Sequence, residues 1–212
     1  MRLSLPGSVA PAIIALLCAC GERERTEKDA GDPTAADSTA VTAKPLPIDS
    51  ALGNVELLRR FRADIATPPS ALSGGARSRD ELVRRFVRAL ETSDTAAIND
   101  MLLRRAEFAY LVYPTARLSQ SPYDLDPQMM WRQMIEGGEK GIERALRNHG
   151  GRPFGFAGYD CPAPSTEGAN SLWGACTLRR RQTAGEPARI RLFGSIIERD
   201  GTFKFVSYAN DL

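Results

Sequence analysis

The hydrophobic period of this chain changes once, around Asn148-His149-Gly150-Gly151, and that change constrains the fold more than any single motif. Before it, Leu52, Val55, Leu58, Phe61 and Ile65 recur at helical spacing until Thr67-Pro68-Pro69 ends the run. After the Ser73-Gly74-Gly75 loop, Ser78-Arg79-Asp80-Glu81 reads as a capping box, and Leu82, Val83, Phe86, Val87 and Leu90 form one apolar stripe behind it. A short helix is expected to begin near Ser93-Asp94, with Ile98, Met101 and Leu102 as its buried face. Asp126 as cap with Pro127 at the first helical position opens DPQMMWRQMIEGG, and EKGIERALRNHGG closes the helical half at a glycine stop. Beyond it, RPFGFAGYDC, SLWGACTLRRR, ARIRLFGSIIERD and TFKFVSYAND read as strands, the last two joined by a hairpin at Arg199-Asp200-Gly201. Helices first and strands last predict an α+β domain, with N-terminal helices packed on a C-terminal antiparallel sheet of about four strands.

That domain is expected to occupy residues 51–212, a length suited to one core. The chain carries 28 basic and 26 acidic residues, a near-neutral balance that gives no support for nucleic-acid binding. Residues 21–50 hold no aromatic residue and only Leu46 and Ile48 as large aliphatics, close to the end. Such a segment cannot bury enough apolar area to offset chain entropy, so residues 20–50 are expected to form a tether with a span on the order of 30 Å.

Residues 1–19 have the layout of a secretory signal peptide: Arg2, the apolar run Val9 to Leu17 broken by Pro11, then small residues. The run is too short for a membrane span, which takes about 20 residues. Leu17-Cys18-Ala19-Cys20 resembles the lipobox of bacterial lipoproteins. That resemblance implies that Cys20 becomes the mature N-terminus and carries acyl chains, each buried methylene contributing roughly 0.8 kcal/mol of membrane affinity. It also implies a lipid-anchored place in the cell envelope. With Gly rather than Asp at residue 21, the family's sorting habit favours the outer membrane facing the periplasm in a cell with two membranes. Both cysteines as bystanders in an ordinary cleaved signal is the competing reading.

The run SRDELVRRFVRALETSDTAAINDMLL and the closing pair LFGSIIERDGTFKFVSY resemble the entrance and the final strands of the nuclear transport factor 2-like superfamily. The resemblance implies a cone whose bent sheet wraps helices around a pocket, which some members use for catalysis and others for binding or assembly. Residues 104–150, mostly helical or irregular in pattern, depart from the short hairpin usual there.

Cys161 and Cys176 lie at the facing ends of two predicted strands, around the loop PAPSTEGANSLWGA. Outside the reducing cytosol such a pair reads as a disulfide, with a closure of this length stabilising by roughly 3 kcal/mol. A metal site is the competing reading, but neither cysteine belongs to a CxxC pair and the chain has a single histidine. No cofactor is expected. That histidine, His149, sits where a helix stops, and interaction with the helix dipole is favoured over catalysis. GxSxG, HExxH and nucleotide-binding glycine loops are all missing from the sequence.

Candidate pocket-lining residues are Glu107, Tyr110, Tyr113, Asp124 and Trp131, in two aromatic-rich places that also include Phe108, Tyr123, Met129, Met130 and Met134. At helical spacing such side chains are more often plain core than pocket lining. Glu107 and Asp124 would be general bases if burial raised their pKa. Arg179, Arg181, Arg189 and Arg191 alternate on two strands and are read as a solvated outer face, with an anion-attracting patch as the alternative. The expectation is a non-catalytic envelope lipoprotein whose domain binds a small apolar ligand or an envelope protein. The alternative is an envelope enzyme performing carboxylate acid–base chemistry in a cone-shaped pocket.

Overall fold

Side-chain caps set where three of the helices begin in the computed structural model, which describes residues 52–212; the expected signal peptide, Cys20 and the tether lie outside the described residues. Helix α1 covers Asn54–Arg62, α2 Arg79–Glu91 and α3 Thr95–Asp100. Ser78 Oγ accepts from the Glu81 N–H, Asp94 from the Ala97 N–H and Asp126 from the Met129 N–H, satisfying amides that have no partner within their helices. The Glu81 carboxylate reaches back one residue further than a capping box requires, to the Arg77 N–H. A single turn, α4 (Arg105–Glu107), runs into a π-helical turn, Phe108–Val112, and two 3-10 turns, Tyr113–Thr115 and Arg117–Ser119.

DPQMMWRQMIEGG and EKGIERALRNHGG are one helix, α5 (Pro127–His149), which runs without a break through Gly137 and Gly138. These glycines are not stops because the chain near its C-terminal end crosses the helix there. A Cβ at Gly141 would fall 1.8 Å from Tyr208 O, and one at Gly138 would be 3.4 Å from Tyr208 N. Asn210 fixes the crossing by donating from Nδ2 to Gly141 O at 2.8 Å.

Among the described residues the strand half contains seven strands in two antiparallel sheets, one of three strands ordered β1-β4-β5 and one of four ordered β2-β3-β6-β7. They are β1 Phe156–Asp160, β2 Ser165–Glu167, β3 Asn170–Trp173, β4 Thr177–Arg180, β5 Ala188–Ile190, β6 Ile196–Arg199 and β7 Thr202–Phe205. The chain is therefore α+β, with its antiparallel sheets in the C-terminal part. Two of the four expected strands each serve both sheets. SLWGACTLRRR passes from β3 to β4 through Ala175, whose φ is 51°, and ARIRLFGSIIERD passes from β5 to β6 through residues 191–195. Cys161 and Cys176 are bonded just beyond the Asp160↔Thr177 pair of β1 and β4, so the loop they close is the β2–β3 hairpin. Asp200 and Gly201, with φ of 50° and 74°, make the two-residue turn expected between β6 and β7.

In the four-stranded sheet, β3, β6 and β7 pack on both faces, while β2 is largely exposed. Ile196, Phe205 and Trp173 belong to one hydrophobic cluster, with α2, α3 and the C-terminal half of α5. Ile197 and Leu172, the next residues along β6 and β3, belong to a second cluster with Phe61, Phe108, Val112 and Tyr113. Helix α5 spans the two, with Met130, Trp131 and Met134 on the second and Ile142, Ala145 and Leu146 on the first. The first cluster is filled by aromatic rings: Phe86 meets Phe193, Phe205 and Tyr208 at 5.4–5.6 Å between centroids. Burying each such side chain contributes roughly 1.5–3 kcal/mol. The outer edge of β7 is closed as well, by paired bonds between Ala76 and Phe203 and by Leu103 N–H donating to Phe205 O.

Two expectations follow for unfolding in urea. Gly141→Ala should destabilise the domain by about 1–3 kcal/mol, since the overlap with Tyr208 outweighs the gain in helix propensity. Gly137→Ala, whose Cβ meets only Ala209 Cβ at 3.6 Å, should stabilise it by up to about 1 kcal/mol. Gains in both variants would contradict the close crossing. Replacing both Cys161 and Cys176 by Ala should lower stability by about 3 kcal/mol through loop closure alone. An unchanged unfolding midpoint would show that the β1–β4 ladder fixes the hairpin without the bond.

Candidate functional site: a buried ion pair and an arginine-lined groove

Glu107, one of the two candidate bases, ends α4 and is buried against β7. Oε1 accepts from the Ser73 N–H at 2.7 Å and from the Ser73 hydroxyl at 3.1 Å. Oε2 accepts from the Arg104 N–H at 2.8 Å and from Lys204 Nζ at 2.8 Å. Lys204 also donates to Ser73 O at 2.8 Å. The two side chains are 0% and 2% exposed, so this is a desolvated ion pair and not a surface one. Burial pushes the Lys204 ammonium below the usual lysine pKa, while the Glu107 carboxylate pulls it back up. With both carboxylate oxygens engaged by four donors, Glu107 is equipped to hold three chain segments together; taking a proton from a substrate would require breaking that set.

The other candidate residues separate from Glu107 and from one another. Tyr113 is buried in the second cluster and donates from its hydroxyl to Leu125 O at 2.7 Å. Burial, helped by Asp126 and Asp124, pushes its phenol up to about 12. Trp131 packs on Phe108 at 5.3 Å in the same cluster. Tyr110 lies under the Arg62 guanidinium at 4.2 Å and lines a surface groove with Val55, Leu58 and Ala63 of the α1 region. Asp124 is exposed, with φ of 42°.

A broad concavity lies elsewhere, at the C-terminal end of α5. It has a volume of about 770 Å³ and is lined by Arg147, Asn148 and His149 from α5, Arg152, Thr177 at the start of β4, Arg189 and Ile190 of β5, then Arg191, Asp211 and Leu212. Four guanidiniums and one acidic side chain therefore line one groove. Of the four alternating arginines, Arg189 and Arg191 belong to it. Arg179, opposite Arg189 in the ladder, shares Asp160 with it but is not part of the lining, and Arg181 lies past the end of β4. Arg147 and Arg152 escaped the sequence reading because nothing local says that the end of α5 meets β5. The basic run around the helix stop, Arg147 to Arg152, was the available signal.

His149 ends α5 as expected, but packs edge-on against Phe154 at 5.5 Å. Burial holds its imidazole below the ordinary histidine pKa, and the Arg180 and Arg152 charges push the same way, so the neutral form is favoured. The groove thus has permanent cations, neutral donors in Asn148 and Thr177, and an imidazole that senses local charge. Among the described residues no cluster of three His, Cys, Asp or Glu side chains is placed to hold a metal ion.

Compared with known proteins, the chain matches no family model, no curated protein and no solved structure.

A double-mutant cycle tests the ion pair. Glu107→Gln and Lys204→Met should each cost about 3–5 kcal/mol in urea unfolding, because each leaves a buried charge without its counter-charge. The double variant should cost less than the sum by more than about 1 kcal/mol. Additive losses would mean that the two charges do not depend on each other.

Proposed function

We propose that this protein is a lipid-anchored component of the cell envelope whose α+β domain is a binding or interaction module. The anchor rests on the lipobox resemblance at Cys20 and on the polar, aromatic-free segment that follows it. No helix among the described residues is long and apolar enough to cross a membrane, so an anchor supplied by residues 1–50 is compatible with the rest of the chain. The capped α2–α3 pair and the β6–β7 hairpin support reading the domain as a variant of the nuclear transport factor 2-like architecture. In this variant the space between sheet and helices is filled by Phe86, Phe193, Phe205 and Tyr208.

The observation that carries the binding reading is the open groove at the end of α5, concave and rich in donors. Its occupant is a small molecule or a segment of an envelope protein. The expected apolar ligand would find a docking place in the Val55, Leu58 and Tyr110 groove, where Val55 is 86% exposed. The enzyme alternative draws little from the carboxylates named for it. Glu107 is engaged by Ser73, Arg104 and Lys204, and Asp124 stands in solvent.

Mass spectrometry of protein extracted gently from its own membranes tests both parts. The denatured mass should correspond to a chain beginning at Cys20 plus acyl groups, and Cys20→Ala should abolish that modification. The native mass should carry a discrete additional species. A chain cleaved elsewhere and unmodified would remove the anchor; a bare native monomer showing no partner on crosslinking in the membrane would remove the binding module.

A further inference from the structure

We propose that the groove at the end of α5 binds a phosphate oxyanion, borne by a small organic phosphate or by a phosphorylated lipid headgroup. This rests on the binding-module reading and names the chemistry of its ligand. Arg147, Arg152, Arg189 and Arg191 come from separate parts of the chain and meet around one concavity whose lining contains a single acidic side chain, Asp211. Guanidiniums stay charged at any physiological pH, and their forked N–H groups match the oxygens of phosphate.

The groove arginines are weakly engaged by the protein itself. Where this chain saturates a guanidinium the contacts are short: Arg59 holds both Glu56 oxygens at 2.7 and 2.8 Å, and Arg105 holds both Asp64 oxygens at the same distances. In the groove, Arg191 meets Asp211 only at 3.4 Å, and its Nε is buried without a hydrogen-bond partner among the described residues. Arg189 meets Asp160 at 3.4 Å and shares that carboxylate with Arg179 at 3.6 Å. Arg152 has no ion-pair partner among the described residues, and only Arg147 has a close one, Glu143. A buried donor left unpaired is costly, and an oxyanion in the groove supplies the missing acceptor.

Charge and volume favour phosphate over a lone carboxylate. Counting the lining side chains with His149 neutral, four positive charges face one negative, which suits a polyvalent anion. The volume of about 770 Å³ lies within the range of roughly 300–1,000 Å³ typical of small-molecule sites, so an anion with an organic portion fits better than a bare ion. Ile190, Leu212 and the arginine stems offer apolar surface to that portion.

The test titrates the full-length protein, in uncharged detergent micelles at constant ionic strength, with inorganic pyrophosphate. Calorimetry should give saturable one-to-one binding that weakens at least about tenfold in Arg152→Gln/Arg189→Gln, the loss expected for two charge-assisted contacts. Arg59→Gln/Arg84→Gln, which removes the same charge from exposed positions on α1 and α2, should bind as the parent does. His149 is the sole histidine, so proton NMR reads its titration directly, and pyrophosphate should raise its pKa because a bound anion favours imidazolium.

Two vesicle arms separate the sources: phosphatidylcholine alone, and phosphatidylcholine with about one part phosphatidate in five. Pyrophosphate binding that is suppressed by phosphatidate assigns a lipid headgroup; binding unchanged by it assigns a soluble organic phosphate. No saturable binding, or equal weakening in both arginine pairs, overturns the proposal. If that failure accompanies a discrete native-mass adduct, the binding module stands and only its phosphate chemistry falls.

Discussion

The ion pair between Lys204 and Glu107 is the constraint on which the arrangement of the two cores depends. Lys204 lies in the middle of β7, between Phe203 and Phe205, and opposite Ile197 of β6. Strand alternation sends the phenylalanines to the first cluster and Lys204 to the other face. On an ordinary half-buried sheet that face would meet water. Here residues 103–113 cover it, and a lysine without a counter-charge would be expensive there. Glu107 supplies the charge, Ser73 O accepts a second bond, and the same carboxylate collects the Ser73 and Arg104 amides. One interaction therefore fixes the 73–75 loop, the turn α4 and the central part of β7.

The second dependency runs along α5. Its N-terminal half completes one core and its C-terminal half the other, and the glycines between them admit residues 207–210 at backbone contact. That crossing carries Asp211 and Leu212 to the end of the helix, where they border the arginine-lined groove. Thr177 enters the groove from the residue after Cys176, so the bonded cysteines also hold one wall in place. The groove is thus built at a junction of helix, strand and crossing segment, and its geometry follows from the core packing.

Local signals in the sequence translated well. The serine and aspartate caps, the apolar stripe of α2, the Asp200-Gly201 hairpin and the cysteine pair depend on neighbours within a few residues or on one ladder. What stayed hidden depends on distant partners. Periodicity cannot tell a strand that continues from one that bends into a second sheet, and both long apolar runs bend, at residues 174–176 and 191–195. Nor does TFKF show that its lysine faces a carboxylate 97 residues away. The helix reads as two pieces around Gly137 and Gly138 because what keeps it small at Gly138 and Gly141, the Tyr208 backbone, is supplied by tertiary contact. The aromatic residues expected around a pocket mostly serve as core. Of the groove arginines, only Arg189 and Arg191 were visible as candidates.

Native-state hydrogen exchange at the Ser73 and Arg104 amides bears most directly on whether Glu107 is a structural counter-ion. If it is, both amides are released only by the opening that frees the core of α2, and they exchange at the rate of the Phe86 amide with the same dependence on urea. Exchange at either amide that is much faster and insensitive to urea would mean that the carboxylate opens on its own. It would then be free to act on something other than the fold.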